Sequence, residues 1–140
     1  KTIIENLDIA DVVNIHGYVD APTSEIILSL DLVAMMTKTF EGFGLTVIEA
    51  LLCNVPVIST KQGIVPEIIP ESNPLLVEVG EIDAIAQALE MFVMAENRQV
   101  FIDDVIRDNL WRYEASYMAK HYRQHLLFEY LKVARIKDYE

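Results

Sequence analysis

The amino-acid sequence predicts an α/β fold in which a mostly parallel sheet of about four strands carries helices on both faces. Short runs that are apolar throughout alternate along the chain with segments of helical spacing. That alternation is typical of parallel strands buried on both faces. From residue 97 onward no strand pattern remains, so a helical segment follows the sheet. With 140 residues and 52% hydrophobic content, the chain forms one domain or part of one.

The strands are predicted from apolar runs of strand length, and the helices from apolar spacing and from end signals. Predicted strands cover residues 12–16, 32–36, 57–59 and 75–79. Predicted helices cover residues 2–7, a short segment beginning at Thr23, a segment beginning at Leu45, and residues 66–69, 82–94, 97–108 and 110–134. Pro22 precedes Thr23, which is a candidate N-cap. Asn54 ends the helix from Leu45, because Asn tolerates the left-handed conformation of a C-terminal cap.

Composition excludes several classes of function. Lysine and arginine number 11 against 22 acidic residues, a net charge of -11, which argues against binding to a nucleic-acid backbone. The single cysteine, Cys53, is expected to be a core residue, and it provides neither a disulfide framework nor a metal cluster. No apolar run approaches the roughly 18 residues of a membrane-spanning helix, and no signal peptide is recognisable. We therefore expect a cytoplasmic protein, with a peripheral membrane contact left open.

Residues 41–50, Glu-Gly-Phe-Gly-Leu-Thr-Val-Ile-Glu-Ala, contain the most informative pattern. This segment follows a predicted strand and begins a helix, so it lies at the edge of the sheet where ligands of such folds bind. Gly42 and Gly44 permit a sharp turn and a close approach to the backbone. The amides of Gly44, Leu45 and Thr46 are the first donors of the helix, and they are predicted to bind a phosphate.

Two acids frame this turn. The helix from Leu45 is apolar almost all round, so we expect it to be buried and Glu49 to need a partner. A carboxylate there can accept two hydrogen bonds from the vicinal diol of a ribose, and Glu41 can reach a second polyol such as a sugar. Together these features describe a sugar nucleotide. Two alternatives stay open: Glu41 is a solvated loop acid, and Glu49 is a structural acid paired with Lys61 or His16.

The segment from Glu41 to Glu49 resembles the acid-x7-acid signature of retaining glycosyltransferases with the GT-B fold, especially glycosyltransferase family 4. Further segments resemble motifs of that family in the same order, over roughly residues 1–95. They are His16-Gly17-Tyr18-Val19, Leu51-Leu52-Cys53-Asn54-Val55-Pro56-Val57-Ile58, Gly63-Ile64-Val65-Pro66-Glu67, Leu75-Leu76-Val77 and Asp83-Ala84-Ile85-Ala86. The resemblance implies a Rossmann-like sugar-nucleotide-binding domain at residues 1–95, incomplete at its N-terminus, and a C-terminal helical segment at residues 96–140.

The resemblance also implies a role for each site residue. Glu49 binds the ribose hydroxyls of a nucleotide-diphosphate sugar, and Glu41 contacts the transferred sugar without acting as a nucleophile. Gly17 and Val19 lie near the base. Backbone donors to the sugar and the diphosphate come from Gly42, Phe43, Gly44, Leu45 and Thr46. The family transfers a hexose-type sugar with retention, as in polysaccharide biosynthesis, and it needs neither a metal nor another cofactor.

The chain departs from the family pattern at several positions. Thr37 and Lys38 replace Pro-Ser, Asn54 replaces a cap glycine, and Ile64 replaces the second glycine of Gly-Gly-x-Pro-Glu. The N-terminal domain, two strands of the donor domain and an Arg/Lys pair that neutralises the diphosphate are absent. We therefore expect residues 12–16 to pair directly with residues 32–36 or to remain at a poorly paired edge, and the isolated chain to be inactive.

Other interpretations remain for the tail and for the function. The last helix either packs on the sheet or, as in the family, crosses to the N-terminal domain. His121 and His125 lie one turn apart, but a solvated helix face is favoured over a metal pair. The main interpretation is the donor-binding part of an enzyme that acts on a saccharide or lipid acceptor. Two alternatives to it remain. One is a non-catalytic nucleotide-sugar-binding or interaction module, and the other is a purely structural domain.

Overall fold

A computed structural model describes the backbone of residues 3–137 and the side chains of residues 3–128. These residues form an α/β fold, and the strands are β1 (Val33–Met35), β2 (Val57–Thr60) and β3 (Leu76–Val77). The helices are α1 (Ile3–Asn6), α2 (Thr23–Leu28), α3 (Leu45–Leu52), α4 (Val65–Ile68), α5 (Ile82–Met94), α6 (Asp104–Leu110) and α7 (Ala115–Lys137). Short 3-10 helices cover Arg98–Phe101 and Trp111–Tyr113.

The three strands form one parallel sheet in the order β1-β2-β3. Val33 pairs with Val57, and Ser59 pairs with Leu76. All four residues of the central strand β2 are buried, as expected for a parallel strand that is covered on both faces. The predicted fold class is confirmed, with three strands rather than about four in the part of the chain that the structure describes.

The predicted strand at residues 12–16 is wrong. This segment is irregular, and the side chains of Val12 and Ile15 are 72% and 83% exposed. It does not pair with β1, whose only strand neighbour among the described residues is β2. A segment without a neighbouring strand gains neither ladder hydrogen bonds nor a buried face, so its apolar sequence alone does not make it a strand.

Two apolar cores lie on the two faces of the sheet. On one face, residues of α3, α4 and α6 pack with Val57 and Leu76. On the other face, Ala88 and Phe92 of α5 pack with Ile58 and Val77. Successive strand residues alternate between the two faces, so the prediction of helices on both faces is confirmed.

Both cores continue past residue 95. Phe101 belongs to the core on the α5 face, whereas Ile106 and Leu110 of α6 belong to the other core. The buried amide of Asn73 donates a hydrogen bond of 2.9 Å to the Phe101 carbonyl oxygen, which joins this connection to the loop before β3. The domain division at residue 95 stays a prediction.

Most predicted helices are present with small changes of their bounds. The helix predicted at residues 82–94 is found with the same bounds. Asn54 follows α3 with φ 59°, the left-handed conformation predicted for it. Thr23 is wrong as an N-cap, because α2 begins at this residue and Pro22 is the cap. The helix predicted over residues 97–108 is interrupted, since Asp103 caps α6 with its side chain after a separate 3-10 turn.

The described side chains of the last helix, α7, do not pack on the sheet. Its side chains from Ala119 to Phe128 are exposed, and its neighbour among the described elements is the 3-10 turn at Trp111–Tyr113. His121 and His125 are both exposed, and the His121 ring lies 3.8 Å from that of Tyr117 between centroids. None of the helices in the described part of the chain combines the length and the apolarity of a membrane-spanning segment.

Candidate functional site

The turn between β1 and α3 contains the first acid of the signature. Gly44 adopts the left-handed conformation, with φ 69°, and α3 begins at the next residue. The Gly44 amide donates a hydrogen bond of 2.9 Å to Oε1 of Glu41, whose side chain is half-buried. The amides of Leu45 and Thr46 have no hydrogen-bond acceptor among the described residues. The helix start therefore offers open donors at Leu45 and Thr46 beside one that a carboxylate already occupies.

The end of β2 and the loop that follows it fix this turn in place. The Thr60 hydroxyl donates a hydrogen bond of 2.7 Å to the Thr37 carbonyl oxygen, and the Ser59 hydroxyl donates one of 3.0 Å to that of Met35. Gly63 lies directly against Glu41, because a Cβ atom at Gly63 would overlap the Glu41 carbonyl oxygen. The backbone of the first acid is therefore held by groups from a neighbouring strand and its loop.

The side chain of Ile64 packs against the start of α3. A Cβ atom at Gly44 would lie 2.9 Å from Cγ2 of Ile64 and 3.2 Å from Cδ1 of Ile68. Ile64 occupies the position where the family motif has its second glycine, and its side chain fills the space beneath the turn. The left-handed φ and this close packing both require glycine at residue 44.

The predicted burial of α3 is wrong on one face. Val47 and Ala50 are completely buried, whereas Leu45 and Leu52 are 58% and 61% exposed and Glu49 is exposed with them. Residues 45, 49 and 52 lie on one face of a helix, because they are four and three residues apart. Glu49 therefore projects from an open apolar face and does not need a protein partner.

The environment of Glu49 also decides one of the alternatives. Lys61 contacts Oε1 of Glu78 at 2.8 Å and Oε2 of Glu71 at 3.9 Å, and the hydrogen bond to Glu78 raises the pKa of the lysine. Among the described residues, Glu49 forms no ion pair or side-chain hydrogen bond with Lys61, with His16 or with any other group. The alternative in which Glu49 is a structural acid paired with Lys61 or His16 is therefore wrong.

Glu49 lines an open groove of about 380 Å³ between α2 and α3. The other lining residues are Thr23 and Ser24 at the start of α2, and Leu52 and Cys53 at the end of α3. The groove thus combines a carboxylate and two hydroxyls with apolar walls. This combination suits a small polyol that carries a flat or apolar extension.

Not every predicted site residue lies in this groove. Gly17 and Val19 belong to the exposed, irregular segment that leads into α2, and neither lines the groove. The side chain of Phe43 points to the C-terminal part of the domain, where its ring meets that of Tyr113 edge-on at 6.0 Å between centroids. Burial and the negative charge of Glu67 raise the pKa of Tyr113.

Sequence reasoning missed several residues that shape the site. Thr60 and Tyr113 show no local signal, since they meet the signature turn only through the tertiary fold. Gly63 was visible as part of a motif, but its contact with Glu41 was not. Thr23 was visible only as a helix-end signal and not as a groove residue.

The sequence profile of the family described as glycosyl transferases group 1 matches residues 1–104, which is more than half of the chain. The chain belongs to this glycosyltransferase family. Its sequence is 35% identical over 91 residues to N-acetyl-alpha-D-glucosaminyl L-malate synthase of Bacillus anthracis, a match that covers 64% of this chain and 23% of that protein.

Two solved structures have a similar fold. HepE from Anabaena, solved in complex with UDP, superposes with a TM-score of 0.78 and 22% identity, over 88% of this chain and 34% of that protein. Sucrose-phosphate synthase from Thermosynechococcus elongatus superposes with a TM-score of 0.69 and 25% identity, over 89% of this chain and 33% of that protein. The chain thus spans between about a quarter and about a third of the length of these relatives.

Proposed function

We propose that this chain is the donor-binding part of a retaining glycosyltransferase. The complete enzyme moves a hexose-type sugar from a nucleotide-diphosphate sugar to a hydroxyl of a saccharide or lipid acceptor, as in polysaccharide biosynthesis, in the cytoplasm. The observation that carries this proposal is the position of Glu49. Its carboxylate is exposed and unpartnered within the described residues, in a groove on the helix whose first amides are open.

The geometry supports two binding roles for successive parts of α3. The open amides of Leu45 and Thr46, together with the positive end of the helix dipole, favour the diphosphate. Glu49 lies about one turn further along, where its carboxylate accepts hydrogen bonds from the ribose diol. Hydrogen bonds to charged groups contribute roughly 1.5–3 kcal/mol each, so this one residue provides a large share of the nucleoside affinity.

We extend the proposal to the remaining residues by the resemblance to the family. Glu41 contacts the transferred sugar, and the segment with Gly17 and Val19 borders the base. Charge that develops on the leaving diphosphate has to be stabilised, and we assign that task to an Arg/Lys pair and to an N-terminal acceptor domain elsewhere in the full protein. On this proposal the reaction uses no metal, and the isolated chain binds nucleotide without catalysing transfer.

An amide-resolved NMR titration of the chain with UDP, GDP and ADP tests this proposal. We expect one nucleotide to shift the amide resonances of residues 44–49, and we expect Glu49→Gln to weaken its affinity at least tenfold by removing the charge. Glu90→Gln is the matched control, because Glu90 is an exposed acid on α5 at the opposite face of the sheet.

Two results would contradict the proposal. The first is a folded chain whose resonances at residues 44–49 do not respond to any of the three nucleotides. The second is nucleotide binding that Glu49→Gln and Glu90→Gln leave equally strong. The first result would favour a purely structural domain, and the second would mean that the nucleotide binds without Glu49.

A further inference from the structure

The Glu41 carboxylate occupies the first donor of α3. Its Oε1 atom accepts the Gly44 amide at 2.9 Å, while the next two amides have no acceptor among the described residues. A carboxylate at the positive end of a helix dipole is in a favourable position. An anion that belongs to the protein therefore lies on the first donor of α3, beside the two open amides to which we assign the diphosphate of the donor.

The backbone of Glu41 is fixed by its neighbours, whereas its half-buried side chain is held, among the described residues, by the hydrogen bond from the Gly44 amide. Gly63 packs directly against the Glu41 carbonyl oxygen, and the Thr60 hydroxyl holds the preceding turn at Thr37. An incoming anion at the helix start therefore meets the carboxylate in one of two arrangements. Either the two negative charges share the amides, which costs electrostatic energy, or the Glu41 side chain rotates away and gives up its hydrogen bond.

We propose that Glu41 determines the affinity of this site for a diphosphate by competing with it for the Gly44 amide. This inference rests on the proposed function and extends it. A donor that carries a sugar offers hydroxyl groups to the displaced carboxylate, and these offset the lost hydrogen bond. A bare diphosphate offers none, so Glu41 selectively weakens the binding of the diphosphate that remains after transfer.

Inorganic pyrophosphate is the probe that isolates this effect, because it has neither a ribose nor a sugar. The affinity of the chain for pyrophosphate is measured from the amide resonances of Gly44, Leu45 and Thr46 at constant ionic strength. We expect Glu41→Ala to bind pyrophosphate roughly threefold to tenfold more tightly than the unaltered chain. Glu41→Gln retains an oxygen that can accept the Gly44 amide but has no charge, so its gain should be smaller.

We expect the affinity for pyrophosphate to be highest for Glu41→Ala, intermediate for Glu41→Gln and lowest for the unaltered chain. Glu90→Gln removes the same charge from the other face of the sheet, and it should stay within twofold of the unaltered chain. Should Glu41→Ala lose its folded spectrum, the isosteric Glu41→Gln decides the question by itself. Equal affinities, weaker binding in the Glu41 variants, or no binding at Gly44–Thr46 in any variant would each overturn the inference.

A parallel titration with UDP separates this inference from the proposed function. The effect of Glu49→Gln on UDP binding tests the nucleotide site. The effect of the Glu41 variants on pyrophosphate binding tests the competition. A chain in which Glu49→Gln abolishes UDP binding, but in which the Glu41 variants do not gain affinity for pyrophosphate, retains the function and loses the inference.

Discussion

The carbonyl oxygen of Glu41 lies so close to Gly63 that a Cβ atom at residue 63 would overlap it. Gly63 also adopts the left-handed conformation, with φ +53°. The loop after β2 therefore sets the position of the first acid of the signature, which belongs to the turn after β1. A substitution at Gly63 therefore acts on Glu41 through steric overlap, and it changes no charge and no hydrogen bond of Glu41.

Gly63→Ala should destabilise the chain and displace the Glu41 turn. We expect a loss of about 2–4 kcal/mol in the free energy of unfolding, since steric overlap adds to the cost of the left-handed backbone. Urea denaturation measures this loss. Gly80→Ala is the matched control, because Gly80 has φ +87° but open space around its Cα. It should cost about 1 kcal/mol, and equal losses at the two glycines would contradict the contact with Glu41.

Truncation of Ile58 should destabilise the chain far more than truncation of Ile15. Ile58 on β2 is completely buried, so Ile58→Ala should lower the free energy of unfolding by about 2–5 kcal/mol through lost burial and a cavity. Ile15 is 83% exposed in the irregular segment, so Ile15→Ala should change it by less than about 0.5 kcal/mol. Thermal or urea unfolding measures both. A large loss for Ile15→Ala would show that the segment at residues 12–16 is packed after all.

Asn54 should be replaceable by glycine but not by alanine. Its backbone is left-handed, its side-chain oxygen accepts a hydrogen bond of 3.1 Å from Arg107, and its carbonyl oxygen accepts one of 3.2 Å from Gln99. Asn54→Ala introduces backbone strain and should cost about 1–2 kcal/mol. Asn54→Gly keeps the backbone and loses only an exposed side-chain hydrogen bond, about 0.5 kcal/mol.

Arg107→Ala is the control for this pair of variants in urea denaturation. It should cost no more than Asn54→Gly, because it removes the same hydrogen bond and leaves the cap intact. If Asn54→Gly proves as destabilising as Asn54→Ala, the side-chain contact rather than the backbone conformation explains why this residue stands at the end of α3.

Tyr113 should titrate above its ordinary pKa of 10.0. Burial is the larger cause, the charge of Glu67 adds to it, and Arg112 opposes both. Because the folded chain holds the phenol proton more tightly than the unfolded chain does, the unfolded chain loses its proton first as the pH rises. The contribution of Tyr113 to stability therefore falls above about pH 10.

A pH titration of the labelled Tyr113 ring by NMR measures this shift. Glu67→Gln should lower the pKa of Tyr113 but leave it above 10.0, since burial remains. Glu90→Gln removes a remote charge and should leave the titration unchanged. A midpoint at or below 10.0 in the unaltered chain would mean that the ring is not held against Phe43 in solution.

The sequence by itself determined the features that depend on neighbouring residues along the chain. The glycine at residue 44, the helix that follows it, the left-handed end at Asn54 and the bounds of α5 all depend on local backbone preferences and on apolar spacing. The order of motifs from Gly17 to Ala86 likewise indicated the family that the comparison with known proteins then established. These features are readable because their causes lie within a few residues of each other.

Only the tertiary structure decided which of these features are paired, buried or exposed. Residues 12–16 have the composition of a strand but no neighbouring strand, and α3 is apolar but leaves Glu49 on an open face. The contacts of Glu41 with Gly63 and of Phe43 with Tyr113 join residues that are 22 and 70 positions apart. Burial, strand pairing and such distant contacts depend on what lies nearby in space, which spacing along the chain does not encode.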